Sequence, residues 1–509
     1  MNLISRRAFL ARAGIAAAAA RLGSGPRLSP EQSALRTRLA SDPLRPQYHL
    51  LPAANWMNDP NGPIFYKDRY HMFFQYNPNG AFWGSMHWAH ASSPDMVRWK
   101  HEPIALAPTP GGYDRDGVFS GSAVLDDDTP TVIYTGVLPP TSPSEVTLDD
   151  GQHKWREVQC LATSRDRDLR TWHKLAEPII PWPPKGLGIT GFRDPSVWRE
   201  GRDWMMTLGS GIRGEGGAVL LYRSSDLHHW AYLHPLIAGR GTGRPAANPV
   251  DNGEMWECPD FFSLGDRHVL LFATMGKVFW KTGRYRDRSF TVDKEGVVDF
   301  GAYYAAKTML DKDGTRILWG WILETRPEAE TRAAGWAGLM SLPRGLRLGS
   351  DGTLEVSVAT AVETLRGEHA GCDLSGNRSS QAKALTKLRI SHLAAEMQAE
   401  FAPQRDFQLR LCAEDGQPLA EIGYDPDRRG AELRVNGTSG ALRTQAPVSL
   451  RVFLDGSALE VFANQRAVIT ARIYTLPKGP LRVEVSDPAV LRSLDLWPMK
   501  PISEDRLTS

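Results

Sequence analysis

The stretch "NGPIFYKDRYHMFFQY", residues 61–76, reads as a short strand, a tight turn and a second, strongly apolar strand. The same pattern returns four times: "SGSAVLDDDTPTVIYTG" from Ser120, "RDPSVWREGRDWMMTLG" from Arg193, "CPDFFSLGDRHVLLFAT" from Cys258 and "AKTMLDKDGTRILWGWI" from Ala306. Three of the units continue into a shared Ser, Asp and Trp signature: "SPDMVRW" (93–99), "SRDRDLRTW" (164–172) and "SSDLHHW" (224–230). The spacing of the units leaves room for four strands in each. Five such units arranged radially form a five-bladed β-propeller over residues 45–345.

Beyond "GWAGLMSLPRGLRL" (335–348) the texture changes. Runs such as "LRVFLDGSALEVF" (450–462) and "AVITARIY" (467–474) alternate apolar and polar residues, as antiparallel strands with one buried face do. Residues 355–500 are therefore expected to form a C-terminal β-sandwich, which makes the fold all-β. At the other end, "SRRAFLARAGIAAAAA" places Arg6 and Arg7 before a weakly apolar alanine run. This is similar to a twin-arginine export signal, assigned to residues 1–25, with a linker at 26–44. The mature chain is expected outside the cytoplasm, periplasmic or extracellular.

Composition narrows the function. With 60 basic and 58 acidic side chains the net charge is +2, which gives no footing for a nucleic-acid partner. No stretch after the N-terminal segment reaches the ~18 apolar residues a membrane span needs. Cys160, Cys258, Cys372 and Cys412 lack metal-ligand spacing and are expected as free thiols. No metal and no cofactor are expected.

Three acids stand near the starts of three units: Asp59 in "WMNDPNG", Asp194 in "FRDP" and Glu257 in "WECPDF". Counted back from the second strand of its unit, each falls ten or eleven residues away, so the three are expected at one structural position. The first strand of a blade lines the central channel, and side chains at its start converge on one mouth of the axis. Singly, each acid has an ordinary use, such as an Asx turn before Pro60 or an ion pair with Arg193. Together they suit glycoside hydrolysis, which needs an acid for the leaving oxygen and a carboxylate across the anomeric carbon.

In order along the chain, "NWMNDPNG", "FFQYNP", "VFSGS", "FRDP", "WECPDF", "DFGAYYAAKT" and "GWAGLMSLPR" resemble glycoside hydrolase family 32, the β-fructosidases. The resemblance implies a retaining mechanism on sucrose or fructans. It makes Asp59 the nucleophile, Glu257 the general acid/base and Asp194 the transition-state stabiliser. The Pro60-Asn61-Gly62 turn is expected to start the innermost strand and hold Asp59 at the pocket floor. Substrate-binding positions carried over are Asn58, Gln75, Trp83, Phe119, Ser120, Arg193 and, in "LWGWI", Trp321 in preference to Trp319. In "WGSMHWAHA", Ser85 and Ala89 depart from the family pattern at positions expected near the leaving-group side. The competing functions are a fructosyltransferase on the same parts, a non-catalytic carbohydrate-binding propeller and a propeller glycosidase for pentose polymers. The intact acids and the "NDPNG" and "ECPD" motifs favour the β-fructosidase.

Overall fold

The computed structural model describes residues 29–139, 148–149, 154–241, 248–372, 374, 378–428 and 430–508. The expected export signal at 1–25 lies outside them. Five antiparallel sheets follow one another, and we number them blades 1 to 5. Their first strands are Asn55–Tyr66, Gly117–Asp126, Ile189–Glu200, Glu257–Leu264 and Tyr303–Leu310. Each of these packs on the first strand of the next blade, and the fifth packs on the first, which closes the ring of a five-bladed propeller. Blade 5 gains its outer strands from Arg344–Leu348 and Leu354–Val358. The propeller sheets thus run to Val358, past the expected limit of 345. The short "GSDGT" turn at 349–353 joins two strands of one blade and does not mark the start of the sandwich.

The repeated Ser, Asp and Trp signature builds one turn three times. Asp95, Asp166 and Asp226 each take a backbone N–H from two to four residues ahead, and Ser93, Ser164 and Ser224 cap the N–H of those aspartates. The ring is fastened by "WAGLM". Trp336–Ala337 pairs in parallel with Asn55 and Trp56 of blade 1, while Leu339–Met340 pairs with Trp321 and Ile322 of blade 5. Gly338 between them has φ +75°, and a Cβ there would lie 1.9 Å from the Met57 carbonyl oxygen. Only glycine fits this clasp.

Each first strand carries a bulge in which two residues face one on the neighbouring strand: Asn58-Asp59, Phe119-Ser120, Asp194-Pro195, Cys258-Pro259 and Ala305-Ala306. A bulge re-aims side chains that strict alternation would turn away. Pro60-Asn61-Gly62 is accordingly no turn. It lies inside the strand, where Gly62, at φ +43°, sits 3.0 Å in Cβ terms from the Ala123 side chain, and a second bulge follows at Asn61 to Ile64. That extra bulge absorbs a residue, so equal counting to the second strand does not give equal register. Asp59 is the second residue of its bulge, Asp194 the first, and Glu257 the residue before one. The acids share an end of the axis, not a register position.

The C-terminal part is a sandwich of two six-stranded antiparallel sheets around an aliphatic core that includes Phe401, Leu409, Ile422, Leu450, Val461 and Ile469. The hairpin Val448–Asp455 and Ala458–Ala463 also reaches the propeller. Asp455 accepts the consecutive N–H groups of Gln47, Tyr48 and His49, and His49 bridges it to Glu460. Arg344 of blade 5 pairs with Glu460 and with Asp299, all fully buried. The expected linker at 26–44 contains a helix, Pro30–Ser41, opened by Ser29 and Gln32 in a capping box and anchored by buried Leu39. Among the described residues no two cysteines are joined in a disulfide.

Candidate active site

Every expected site residue lines one cavity of about 440 Å³. Asn58, Asp59, Gln75, Trp83, Phe119, Ser120, Arg193, Asp194, Glu257 and Trp321 all line it. Trp319, two residues before Trp321, points into the core and is 1% exposed. The cavity also takes in Trp155, Asn248, Asp251 and Tyr304, which sequence reasoning did not name. Tyr304 immediately precedes its blade's bulge, as Glu257 and Arg193 precede theirs.

Asp59 is held from two sides. Ser120 Oγ donates to Oδ2 at 2.6 Å, and Asn58 Nδ2 donates to Oδ1 at 2.9 Å, with Asn58 itself fixed by the Trp56 indole N–H at 2.7 Å. Burial raises the pKa of Asp59; the Ser120 and Asn58 hydrogen bonds oppose this, and the charge of Glu257 adds to it. The Cys258 thiol lies 3.7 Å from Asp59 Oδ2 and 3.4 Å from Asp194 Oδ2, so both carboxylates face it. Burial, then the Asp194 and Asp59 charges, raise the Cys258 pKa well above its usual value, so the thiol stays a proton donor.

Asp194 accepts the Cys258 backbone N–H at 2.9 Å and is 3% exposed. Burial pushes its pKa up to about 7; Arg193 opposes the rise, while Glu257 and Asp59 add to it. Both Asp194 and Cys258 have positive φ, +64° and +48°, a strained backbone for residues with a Cβ. Glu257 is gripped by Arg193, whose Nε and Nη2 reach Oε1 at 3.0 and 2.8 Å, and by Tyr304 Oη on Oε2 at 2.7 Å. Arg193 Nη1 is anchored on buried Glu157 at 2.9 Å, and Glu157 also accepts the Trp155 indole N–H. Burial, followed by the Glu257 charge, raises the Tyr304 pKa well above normal, so its hydroxyl remains a donor.

Trp83, 43% exposed, stands at the rim near Phe119 and Trp155, with ring centroids 6.1 and 6.4 Å away. Asn248 and Asp251, on the turn Pro249–Asn252 and its cap, supply polar lining. Ser85 and Ala89 line no part of the cavity. Ala89 is buried in the core with Met57, Phe74 and Trp319, while Ser85 is exposed two residues beyond Trp83 of the rim.

A buried carboxylate, a half-buried one and a third that is hydrogen-bonded by an arginine and a tyrosine, gathered at the mouth of a five-bladed propeller, suit a glycoside hydrolase. Residues 49–357 match the glycosyl hydrolases family 32 N-terminal domain and residues 361–498 the glycosyl hydrolases family 32 C-terminal domain. The chain belongs to glycosyl hydrolase family 32. It is 37% identical to a sucrose-6-phosphate hydrolase of Escherichia coli, over 85% of this chain and 90% of the relative. It is 36% identical to a raffinose invertase of Escherichia coli, over 88% and 94%. Among solved structures, a Bombyx mori GH32 beta-fructofuranosidase superposes with a TM-score of 0.75 at 27% identity, over 93% of this chain and 98% of that one.

Proposed function

We propose that this enzyme releases terminal fructose from sucrose and short β-fructofuranosides by a double displacement. The observation that carries the reading is the single cavity of about 440 Å³ that gathers Asp59, Asp194 and Glu257 from three blades. Its size suits a terminal fructosyl unit and the sugar next to it. Glu257 protonates the glycosidic oxygen as Asp59 attacks C2 of the fructosyl ring, which gives a fructosyl ester and the free leaving sugar. Glu257 then takes a proton from water, whose oxygen attacks C2 and frees Asp59 with the configuration retained. Asp194 holds fructosyl hydroxyls while positive charge builds on the ring. Tyr304 and Arg193 keep Glu257 in place through both steps, and Ser120 and Asn58 orient Asp59 for attack.

Product analysis on sucrose, inulin and levan in parallel tests this. Fructose is expected from all three, with an equal amount of glucose from sucrose and no intermediate fructo-oligosaccharides from the polymers; oligosaccharides from the polymers would contradict terminal cleavage. The "SRRAFL" motif supports export by the twin-arginine route. Replacing Arg6 and Arg7 by lysine should retain the protein in the cytoplasm, and unchanged export would refute that route.

A further inference from the structure

The cavity holds four carboxylates, Asp59, Asp194, Asp251 and Glu257, against one cation, Arg193. That cation is already engaged, with Nη1 on Glu157 and Nε and Nη2 on Glu257. Three of the acids have work in bond cleavage. Asp251 has none. It sits exposed on the turn Pro249–Asn252, while the other three lie on first strands at or next to the bulges.

The turn is fixed to blade 4. Val250 is buried, and its carbonyl oxygen accepts the Thr274 hydroxyl and the Met275 N–H, both at 2.9 Å. Asn248 caps the turn by accepting the Val250 N–H, and its backbone carbonyl accepts the Asp251 N–H at 3.0 Å. Asp251 has no ion pair with any described residue. Among the described residues it is an unpaired negative charge on the cavity wall, carried by a fixed turn.

We propose that Asp251 makes this site select uncharged β-fructofuranosides and reject donors phosphorylated on the leaving sugar. The inference rests on the fructosidase reading and deepens it. Sucrose 6-phosphate carries its phosphate on the glucose half, with a charge near −2 at neutral pH. Recognition of such a group calls for arginine or lysine, and no uncommitted one lines this cavity among the described residues. A carboxylate on the wall of the same cavity repels the phosphate instead. The E. coli relative named a sucrose-6-phosphate hydrolase shares the fold but, on this reading, not the donor.

The test is kcat/KM on sucrose and on sucrose 6-phosphate, at low and high sodium chloride, for the wild type, Asp251→Asn and Asp251→Lys. The ratio is taken within each variant, so a general loss of activity cancels. The wild type should favour sucrose by ~100-fold at low salt, and the gap should narrow as salt screens the repulsion. Asp251→Asn should narrow it about tenfold, and Asp251→Lys further. A wild-type ratio near one, a preference for the phosphorylated sugar, or a ratio indifferent both to salt and to Asp251→Asn would overturn the inference while leaving the fructosidase reading intact. No fructose from either sugar would overturn both.

Discussion

Replacing Ser120 by alanine removes the hydroxyl that donates to Asp59 Oδ2 at 2.6 Å. A hydroxyl-to-carboxylate bond of this length is charge-assisted and contributes ~1.5–3 kcal/mol. It favours only the ionised carboxylate, so it holds the Asp59 pKa down against burial, the larger effect, and against the charge of Glu257. At ~1.4 kcal/mol per factor of ten, its loss should raise the Asp59 pKa further and lower the ionised fraction about tenfold or more on the acid side. The nucleophile must be ionised to attack, so the acid limb of kcat/KM should shift to higher pH by the same amount. The loss is then greatest on the acid limb of the profile and least on its alkaline side. Initial rates of fructose release at low sucrose from pH ~4 to ~9 measure this for the wild type, Ser120→Ala and Ser120→Thr, and threonine should restore the limb. A uniform fall at all pH values with an unmoved limb would show that Ser120 acts on the substrate and not on Asp59.

Two further predictions concern stability. Asp194 has a folded pKa of about 7 against an ordinary aspartate value of ~3.9, so the folded state binds more protons between these values and stability falls as pH rises through that window. Ionising it in the fold costs ~4 kcal/mol above neutrality, so Asp194→Asn should raise Tm by a few degrees near pH ~7.5, not near pH ~4, while activity is lost; a lower Tm at pH ~7.5 would contradict this. For His49, burial lowers the pKa, but hydrogen bonds to Asp455 and Glu460 outweigh it and raise the value to about 9. The stabilisation is full below pH ~6.5 and lost as pH rises through ~9, and His49→Ala should cost ~3–5 kcal/mol and flatten that dependence in thermal unfolding. An unaltered Tm profile in the variant would refute a locking role at the contact between propeller and sandwich.

The parts of the site legible in the sequence lie on first strands or beside them. There, Asp59, Asp194 and Glu257 each sit in a short motif next to a repeated strand pair, so the repeat itself places them. What the sequence hid was register. The extra bulge at Asn61 to Ile64 is invisible to counting, and it made unequal positions look equal. Asn248 and Asp251 carry no periodic signal, because their place depends on a turn pinned by Thr274 and Met275 from another strand. Trp155 reaches the site from a later strand of blade 2, where an aromatic residue reads as ordinary core. The helix Pro30–Ser41 was signalled by Ser29, Pro30 and Gln32, but its low apolar content resembles a linker, and only packing of Leu39 reveals it.

The central claim is that Asp59 forms a covalent ester with fructose while Glu257 handles the protons. Glu257→Gln treated with an activated aryl fructoside should still release the aryl alcohol in a burst, since that leaving group needs little acid help, and should then stall without its general base. Proteolysis and mass spectrometry of the stalled protein should find one added fructosyl group on the peptide containing Asp59. A burst with no adduct, or an adduct on any other residue, would contradict the account.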